Sequence, residues 1–509
     1  MNEEPLLEFK KINKYFTGVH ALKNIDFRLD RGSVHCLAGE NGSGKSTLVK
    51  IASGVYTPTN GTISLHGTTY EKLNPSMAMS QGVHVIYQDL SLFEHMSLAE
   101  NIAISKIHRD EKFVRQSHIM AIAEKQISKI GVDLDLHATV RESSMGNRQI
   151  AAICRALAMD AKILFMDEPT TALTRQEVDR LLDIVVDLKR SGLSVVFISH
   201  KLDEILQVSD IITVFRDGNK VGDFPAGEMT AKKLSFYMTG KDVAYPKYQN
   251  SETKRQALLQ VRNLKANKLS DISLDVNKGD IVGVVGLLGS GRSELALSLF
   301  GLNPAKSGTI TLNGRECTIA NAQVAKEYGI ALLPEDRSTQ GLFLQKTVCE
   351  NISSAMIDSL AEKRGFFDWR KERRIAEEGV KSMNIKTPSI ATLIENLSGG
   401  NQQKAAIAKW IRTNPTILIM DSPTVGIDIG SKAEIYHVIQ DLARSGIGII
   451  LISDEVEEIL TNCNKVVVFS NGKVSKTLGA AELHEAGIEK KLQELISLGA
   501  RRKQHAEKA

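Results

Sequence analysis

The sequence predicts an α/β protein made of two tandem copies of one parallel-sheet unit, and three observations predict it. The first is an internal repeat, which has to be found before local structure is read. Gly54-Val55-Tyr56 through Gly61-Thr62-Ile63 and Gly67 recurs as Gly301-Leu302-Asn303 through Gly308-Thr309-Ile310 and Gly314, an offset of 247 residues. Further on, the run ending in Asp167 recurs ending in Asp421, and Phe215-Arg216-Asp217-Gly218 recurs as Phe469-Ser470-Asn471-Gly472, both offset by 254. Seven residues were therefore gained between the anchors, in the region between Asp89 and Ser143, which reads as helical over residues such as 119–130. The second observation is the alternation of short apolar runs (Ile163-Leu164-Phe165-Met166, Ser194-Val195-Val196-Phe197-Ile198) with helical periodicity, as over residues 177–188. Buried parallel strands joined by crossover helices have that pattern. The third is that 509 residues, 42% of them hydrophobic and with only 11 prolines, suffice for two large cores and argue against disorder.

The repeat divides the chain into a first domain, 1–241, a polar linker, 242–256, a second domain, 257–497, and a basic tail, 498–509. The linker reading rests on Pro246, Asn250, Ser251 and the Lys254-Arg255 pair, and the tail reading on Arg501-Arg502-Lys503. A formal charge of +4 does not make nucleic acid a default partner, so phosphate recognition has to be local. Five widely spaced cysteines (Cys36, Cys154, Cys317, Cys349, Cys463) without a C-x-x-C pair suggest neither a disulfide framework nor a zinc site. Met1 to Pro5 lacks a basic stretch leading into an apolar core, so no secretory signal is expected. Apolar runs such as 281–288 and 446–452 fall far short of the roughly 20 residues that span a bilayer.

The strongest chemical signal is Gly39-Glu40-Asn41-Gly42-Ser43-Gly44-Lys45-Ser46-Thr47, a G-x-x-x-x-G-K-[ST] loop between an apolar strand-like run and a helical one. Its glycines let backbone N–H groups point at phosphate oxygens, Lys45 reaches the β/γ-phosphates, and the Ser46 hydroxyl ligates Mg²⁺. Ile163 to Met166 then ends in Asp167-Glu168. Successive strand residues face opposite sides, so the pair divides two tasks: Asp167 in the metal's shell, Glu168 on the attacking water.

With these two motifs in place the chain resembles ABC-type ATPases, because the remaining motifs fall in that family's order across both halves. Gln88, in Val85-Ile86-Tyr87-Gln88, resembles the glutamine that contacts Mg²⁺ or water and communicates with a membrane partner. His200, in Phe197-Ile198-Ser199-His200, resembles the switch histidine at the γ-phosphate, and Phe16 the aromatic that stacks on adenine. Leu397-Ser398-Gly399-Gly400-Asn401 resembles the LSGGQ signature, where Ser398, Gly399 and Gly400 open a helix and present a hydroxyl and bare N–H groups to phosphate. The resemblance implies RecA-like sheet cores with helical subdomains, ATP and Mg²⁺ as ligands, and head-to-tail pairing of one half's phosphate loop with the other's signature.

The second set of motifs departs from the pattern. Gly286-Leu287-Leu288-Gly289-Ser290-Gly291-Arg292-Ser293 carries Arg292 in place of lysine, a planar fork for a compact ammonium. Glu335 stands at the glutamine position, Asp421 survives, Ser422 replaces the catalytic glutamate, and Asp454 replaces the histidine. The first-half signature counterpart, Ser143-Ser144-Met145-Gly146-Asn147, has Met145 where the signature has glycine. The first site is therefore expected to hydrolyse ATP, and the second to bind nucleotide with little turnover or to stay empty, unless Glu335 or Asp336 compensates.

Two fused cassettes, Arg292 and Pro334-Glu335-Asp336-Arg337 together resemble the ATPase subunits of bacterial sugar importers of the ribose, galactose, arabinose, allose and autoinducer type. That resemblance implies a peripheral ATPase on the cytoplasmic face of the inner membrane, a permease dimer contacted near residues 89–101, an extracytoplasmic solute-binding protein, and no nucleic-acid partner. The alternative, a soluble tandem ATPase acting on ribosomes or nucleic acid, fits poorly with the short linker and small net charge.

Overall fold

The computed structural model describes residues 4–110, 115–170, 173, 175–241, 247–250, 256–287, 289–361 and 367–506. Most of the expected linker, the end of the expected tail and Leu288 of the second phosphate loop lie outside them. The chain forms two compact units, Met1–Val243 and Ala244–Ala509.

Among the described residues the first unit holds ten strands. They are β1 (Leu7–Phe16), β2 (Val19–Leu29), β3 (Val34–Gly39), β4 (Asn60–Leu65) and β5 (Thr68–Tyr70), then β6 (Val83–Ile86), β7 (Ile163–Asp167), β8 (Ser194–Ile198), β9 (Ile211–Arg216) and β10 (Asn219–Pro225). One sheet is antiparallel, in the order β2-β1-β4-β5; the other runs β10-β9-β3-β8-β7-β6 and is parallel except for its β9-β10 hairpin. The central strands β3 and β8 are buried along their whole length, which is why their sequences read as apolar runs rather than alternations. The exception in β3 is His35, which bonds Thr213 Oγ1 at 2.6 Å and whose pKa burial lowers to about 4, so it stays neutral within the sheet. Phe165, Phe197 and Phe215 fill this core, and truncating one of them to alanine costs about 3–5 kcal/mol. Helices Leu98–Asp110, Gln116–Ile130 and Met145–Ala158 pack on one another as a separate helical layer.

The second unit repeats this plan with β11 (Ala257–Ala266), β12 (Leu269–Asn277), β13 (Ile281–Gly286), β14 (Ser307–Leu312) and β15 (Arg315–Cys317), followed by β16 (Ile330–Leu333), β17 (Ile417–Asp421), β18 (Gly448–Ile452), β19 (Lys465–Ser470) and β20 (Lys473–Leu478). Its sheets are ordered β12-β11-β14-β15 and β16-β17-β18-β13-β19-β20, the same topology. In both units the phosphate-loop strand lies between the strand that ends at the switch position and the strand that follows it, so the functional loops leave one edge of the sheet. Ligand crevices in parallel α/β sheets form at that edge.

Three features depart from the sequence reading. The seven extra residues are not all helical: Phe93 and Phe343, each donating its N–H to Asn101 or Asn351 at 2.8 Å, are offset by 250, so three of the seven lie in the loop after β16. That loop is taken up by a π-helical turn, Arg337–Gly341, capped by Asp336. Within the expected linker, Tyr248 is buried in the second unit, donating its hydroxyl to Gly279 O at 2.7 Å and its N–H to Thr461 O at 2.8 Å. The expected tail begins as helix, since Ile488–Ala506 is continuous and is anchored by buried Leu492.

Candidate functional site

In the first unit the phosphate loop runs from Gly39, the last residue of β3, into helix Lys45–Ala52. Gly44 has φ +106°, and a Cβ there would stand 2.7 Å from the Ala21 carbonyl oxygen, so the turn admits no side chain. Lys45 is only 5% exposed and its Nζ donates to the carbonyls of Gly39 (2.8 Å) and Glu40 (2.9 Å). Burial pulls the ammonium's pKa down, and the nearby Glu168 and Asp167 carboxylates oppose this. The Asp167 carboxyl is pushed up by burial and by Glu168, while Lys45 and a hydrogen bond from Ser46 hold it down.

Glu168 sits at φ +47° with its N–H on Ile198 O at 3.0 Å, and its Oε1 lies 3.1 Å from His200 Nδ1. The edge geometry of β7 and β8 explains the meeting: Asp167 is paired with Ile198, so the residues that follow each strand emerge side by side. A cavity of about 460 Å³ is lined by Asn41, Gly42, Gly44, Lys45, Ser46, Thr47 and Glu168.

Not every expected residue reaches that cavity. Phe16 stands outside it, packed edge-on against Tyr56 with ring centroids 5.3 Å apart, and Gln88 is exposed in the turn after β6. Conversely, Gly18 to Ala21, Lys23, Asp217 and Gly218 line the cavity without having been singled out for it. For Asp217 and Gly218 the signal was present as a repeat anchor, and the structure supplies its reason. Gly218 N–H donates to Ser43 O at 3.2 Å, and Gly472 N–H to Ser290 O at 2.8 Å, so the anchor props each phosphate loop.

A second unpredicted device ties the signature helix to the loop after the first edge strand. Arg155 donates to the carbonyls of Ser91 (2.7 Å) and Leu90 (2.8 Å), and its counterpart Lys409 donates to Gly341 O.

The two signature turns differ. Ser398 caps helix Gly399–Ile411 without a side-chain cap bond, and Arg337 of the inserted turn donates to Val425 O at 2.9 Å beside it. In the first unit the equivalent turn already holds an anion. Ser144 Oγ donates to Glu177 Oε1 at 3.1 Å and Gly146 N–H reaches the same oxygen at 3.3 Å. A negative group at a helix N-terminus is favoured by the exposed N–H groups there. The residue in Glu177's place in the second unit is Ser431.

In the second unit's own loop, a Cβ on Gly286 would stand 2.6 Å from Phe469 O, and Gly291 has φ +107°. The cradle is thus kept while its contents change. Arg292 donates to Ser453 O at 3.3 Å and to the Asp454 carboxylate. The Asp421 pKa rises to about 6, first through burial and next through Glu335, with Ser293, Arg292 and Ser422 opposing. Ser422 occupies the strained position of Glu168, at φ +49°, and brings only a hydroxyl, 3.4 Å from Asp421. Asp336 is spent on capping Ser338 and Thr339.

The first site's residues fit a magnesium nucleotide. A buried ammonium and a glycine cradle suit phosphate, and the Ser46 hydroxyl beside Asp167 offers hard oxygen donors of the kind Mg²⁺ takes together with substrate phosphates.

A parallel sheet with a phosphate loop on one strand end and an acidic residue closing another, built twice with the full Asp-Glu pair in the first copy, defines a tandem P-loop ATPase. The family model described as ABC transporter matches residues 22–171 and 269–425, and the chain belongs to that family. It is 40% identical to the putative ribose/galactose/methyl galactoside import ATP-binding protein 2 of Rhizobium meliloti (strain 1021), over 94% of each chain. It is 40% identical to the corresponding putative protein of Geobacillus kaustophilus (strain HTA426), over 93% of this chain and 94% of that one. It is 39% identical to a ribose import ATP-binding protein of Rubrobacter xylanophilus, over 95% and 98%. ATP hydrolysis is the activity characteristic of the family, and the chain is an ATP-binding ATPase with two fused cassettes. Among the described residues no helix is long and apolar enough to cross a membrane.

Proposed function

We propose that this chain powers import of a sugar or sugar-like solute through a separate membrane permease, and that its first pocket does the hydrolysis. The names of relatives that match it along nearly their full length support the sugar reading. The observation that carries the catalytic reading is one cavity lined by Lys45, Ser46 and Glu168, with His200 hydrogen-bonded to Glu168.

Lys45 and the N–H groups of Asn41, Gly42 and Gly44 hold the phosphates, and Thr47 continues the cradle into the helix. Glu168 accepts the proton of the attacking water, while His200 orients that carboxylate and meets the γ-phosphate. Ser46 and Asp167 would hold Mg²⁺, with Gln88 assigned to the same shell from its exposed place in the turn after β6, and the ion would supply charge neutralisation at the phosphate oxygens. Phe16 is assigned to the adenine, and Ser398, Gly399 and Gly400 to phosphate binding. Ser144, Gly146, Gly286, Gly291, Arg292, Ser293, Glu335, Asp421, Ser422 and Asp454 belong to a second, degenerate nucleotide site.

Residues 89–101 are assigned to the permease contact, and Phe93 among them is 55% exposed. The chain then works at the cytoplasmic face of the inner membrane, with an extracytoplasmic binding protein delivering solute to the permease. The test is ATP turnover in proteoliposomes holding the chain, its genomically adjacent permease and binding protein. A pentose or hexose is expected to stimulate turnover several-fold, and the Glu168→Gln chain to give none. Turnover indifferent to every sugar tried would sink the sugar reading.

A further inference from the structure

In the second unit β13 and β18 are neighbours in register, with Val284 opposite Ile452, so the loops that follow them face each other across one crevice. Arg292 comes from one loop and Ser453-Asp454 from the other. The arginine, 8% exposed, bridges the crevice, bonding the Ser453 carbonyl at 3.3 Å and pairing with the Asp454 carboxylate. The first unit is wired differently. Lys45 turns back onto its own loop, and the residue equivalent to Asp454, His200, pairs with Glu168 instead.

In a phosphate loop the N–H groups cradle the inner phosphates while the basic side chain reaches outward to the β- and γ-phosphates. A carboxylate already joined to that basic side chain stands, electrically, where the outermost phosphate belongs. A triphosphate has to break the pair and bring its terminal charge against Asp454, which like-charge repulsion opposes. A diphosphate ends short of it and leaves the pair intact. The glycine cradle for the inner phosphates is meanwhile preserved.

We infer that the second pocket selects nucleoside diphosphate over triphosphate, with Asp454 as the residue that sets the selection. The inference rests on the reading of the second loop as a nucleotide site and deepens it. Such a pocket holds a product-like nucleotide and leaves turnover to the first.

The test is calorimetric titration of the full-length Lys45→Ala chain, in magnesium, with ADP and with ATP, a readout independent of turnover. ADP is expected to bind about tenfold or more tightly than ATP. In the same background Asp454→Ser, and independently Asp454→Asn, should tighten ATP about tenfold and move ADP by less than about threefold. Adding Arg292→Ala should abolish the remaining binding, with the melting profile confirming a folded chain. Equal affinities, an ATP preference, or a preference that neither Asp454 variant moves overturns the inference. Binding that survives Arg292→Ala overturns it as well, by placing the nucleotide elsewhere. If the Lys45→Ala chain binds neither nucleotide while the unaltered chain binds one, the nucleotide reading of the second loop falls, and the inference with it.

Discussion

The residues that leave β7 and β17 share a backbone posture in the two units and differ in chemistry. Glu168 and Ser422 sit at φ +47° and +49°, and each donates its N–H to the last residue of the neighbouring strand, at 3.0 Å and 2.8 Å. A non-glycine residue in that region is strained, and such strain is often taken as a sign of catalysis. Here it persists where the carboxylate has gone. The strain therefore belongs to the way the chain leaves β7 and β17, and the fold can lose its chemistry without losing the posture that held it.

The largest test of the comparison is to erase the difference. Glu168→Gln keeps the shape and removes the base, so ATP turnover should fall about 10²-fold or more. If more than about a tenth of the rate remained, the second pocket would be contributing and the comparison would break. A smaller loss is expected for His200→Ala, on the order of tenfold in kcat with little change in KM, because the histidine is bonded to Glu168 rather than to the loop. An unchanged kcat would leave that bond without a catalytic part.

A third test uses pH. Glu204 accepts hydrogen bonds from Thr170 and Ser199 and is paired with Lys201 at 3.1 Å. Its counterpart Glu458 accepts from Thr424, but Glu455 stands in the place of Lys201. Burial, with Glu455 adding to it, pushes the Glu458 pKa up to about 7, and Ser453, Thr424 and Lys432 oppose the shift. The folded unit therefore binds more protons than the unfolded chain between the ordinary carboxylate range and pH 7. Its contribution to stability is complete below that range and is lost as pH rises through about 7. Glu458→Gln should thus stabilise the second unit by about 1–3 kcal/mol at pH 8 and by almost nothing at pH 4. Equal melting shifts at the two pH values would refute the account.

Legibility in the sequence followed physical range. The phosphate loop, the Asp-Glu strand end and the duplication could be read because glycine, lysine and paired carboxylates serve local geometry at fixed spacing. Tyr248 could not, because its burial depends on Gly279 and Thr461, distant in sequence. The Arg292 to Asp454 pair joins residues 162 apart, and only the parallel register brings them together. Lys409 reads as an ordinary helical lysine until the loop it clasps is folded beneath it. Phe16 was legible as a motif position, whereas the edge-on packing of its ring against Tyr56, distant in sequence, was not.

The smallest expected effect concerns the two signature turns. Glu177 fills the N-terminal end of helix Met145–Ala158 by accepting from Ser144 and Gly146, while Ser431 cannot reach out with a charge in the same way. Glu177→Ser makes the first turn like the second. The helix keeps Ser144 as its own cap, since Ser144 still accepts from Asn147 N–H at 3.2 Å, so only one acceptor and a partly exposed charge are lost. The expected cost is about 0.5–1 kcal/mol, read as a fall in the first unit's denaturation midpoint and reduced by salt. Glu177→Gln, which keeps an acceptor oxygen without the charge, should recover part of it. A stabilising effect of Glu177→Ser would mean that the carboxylate strains the turn, and that the difference between the two signatures lies in Met145 rather than in Glu177.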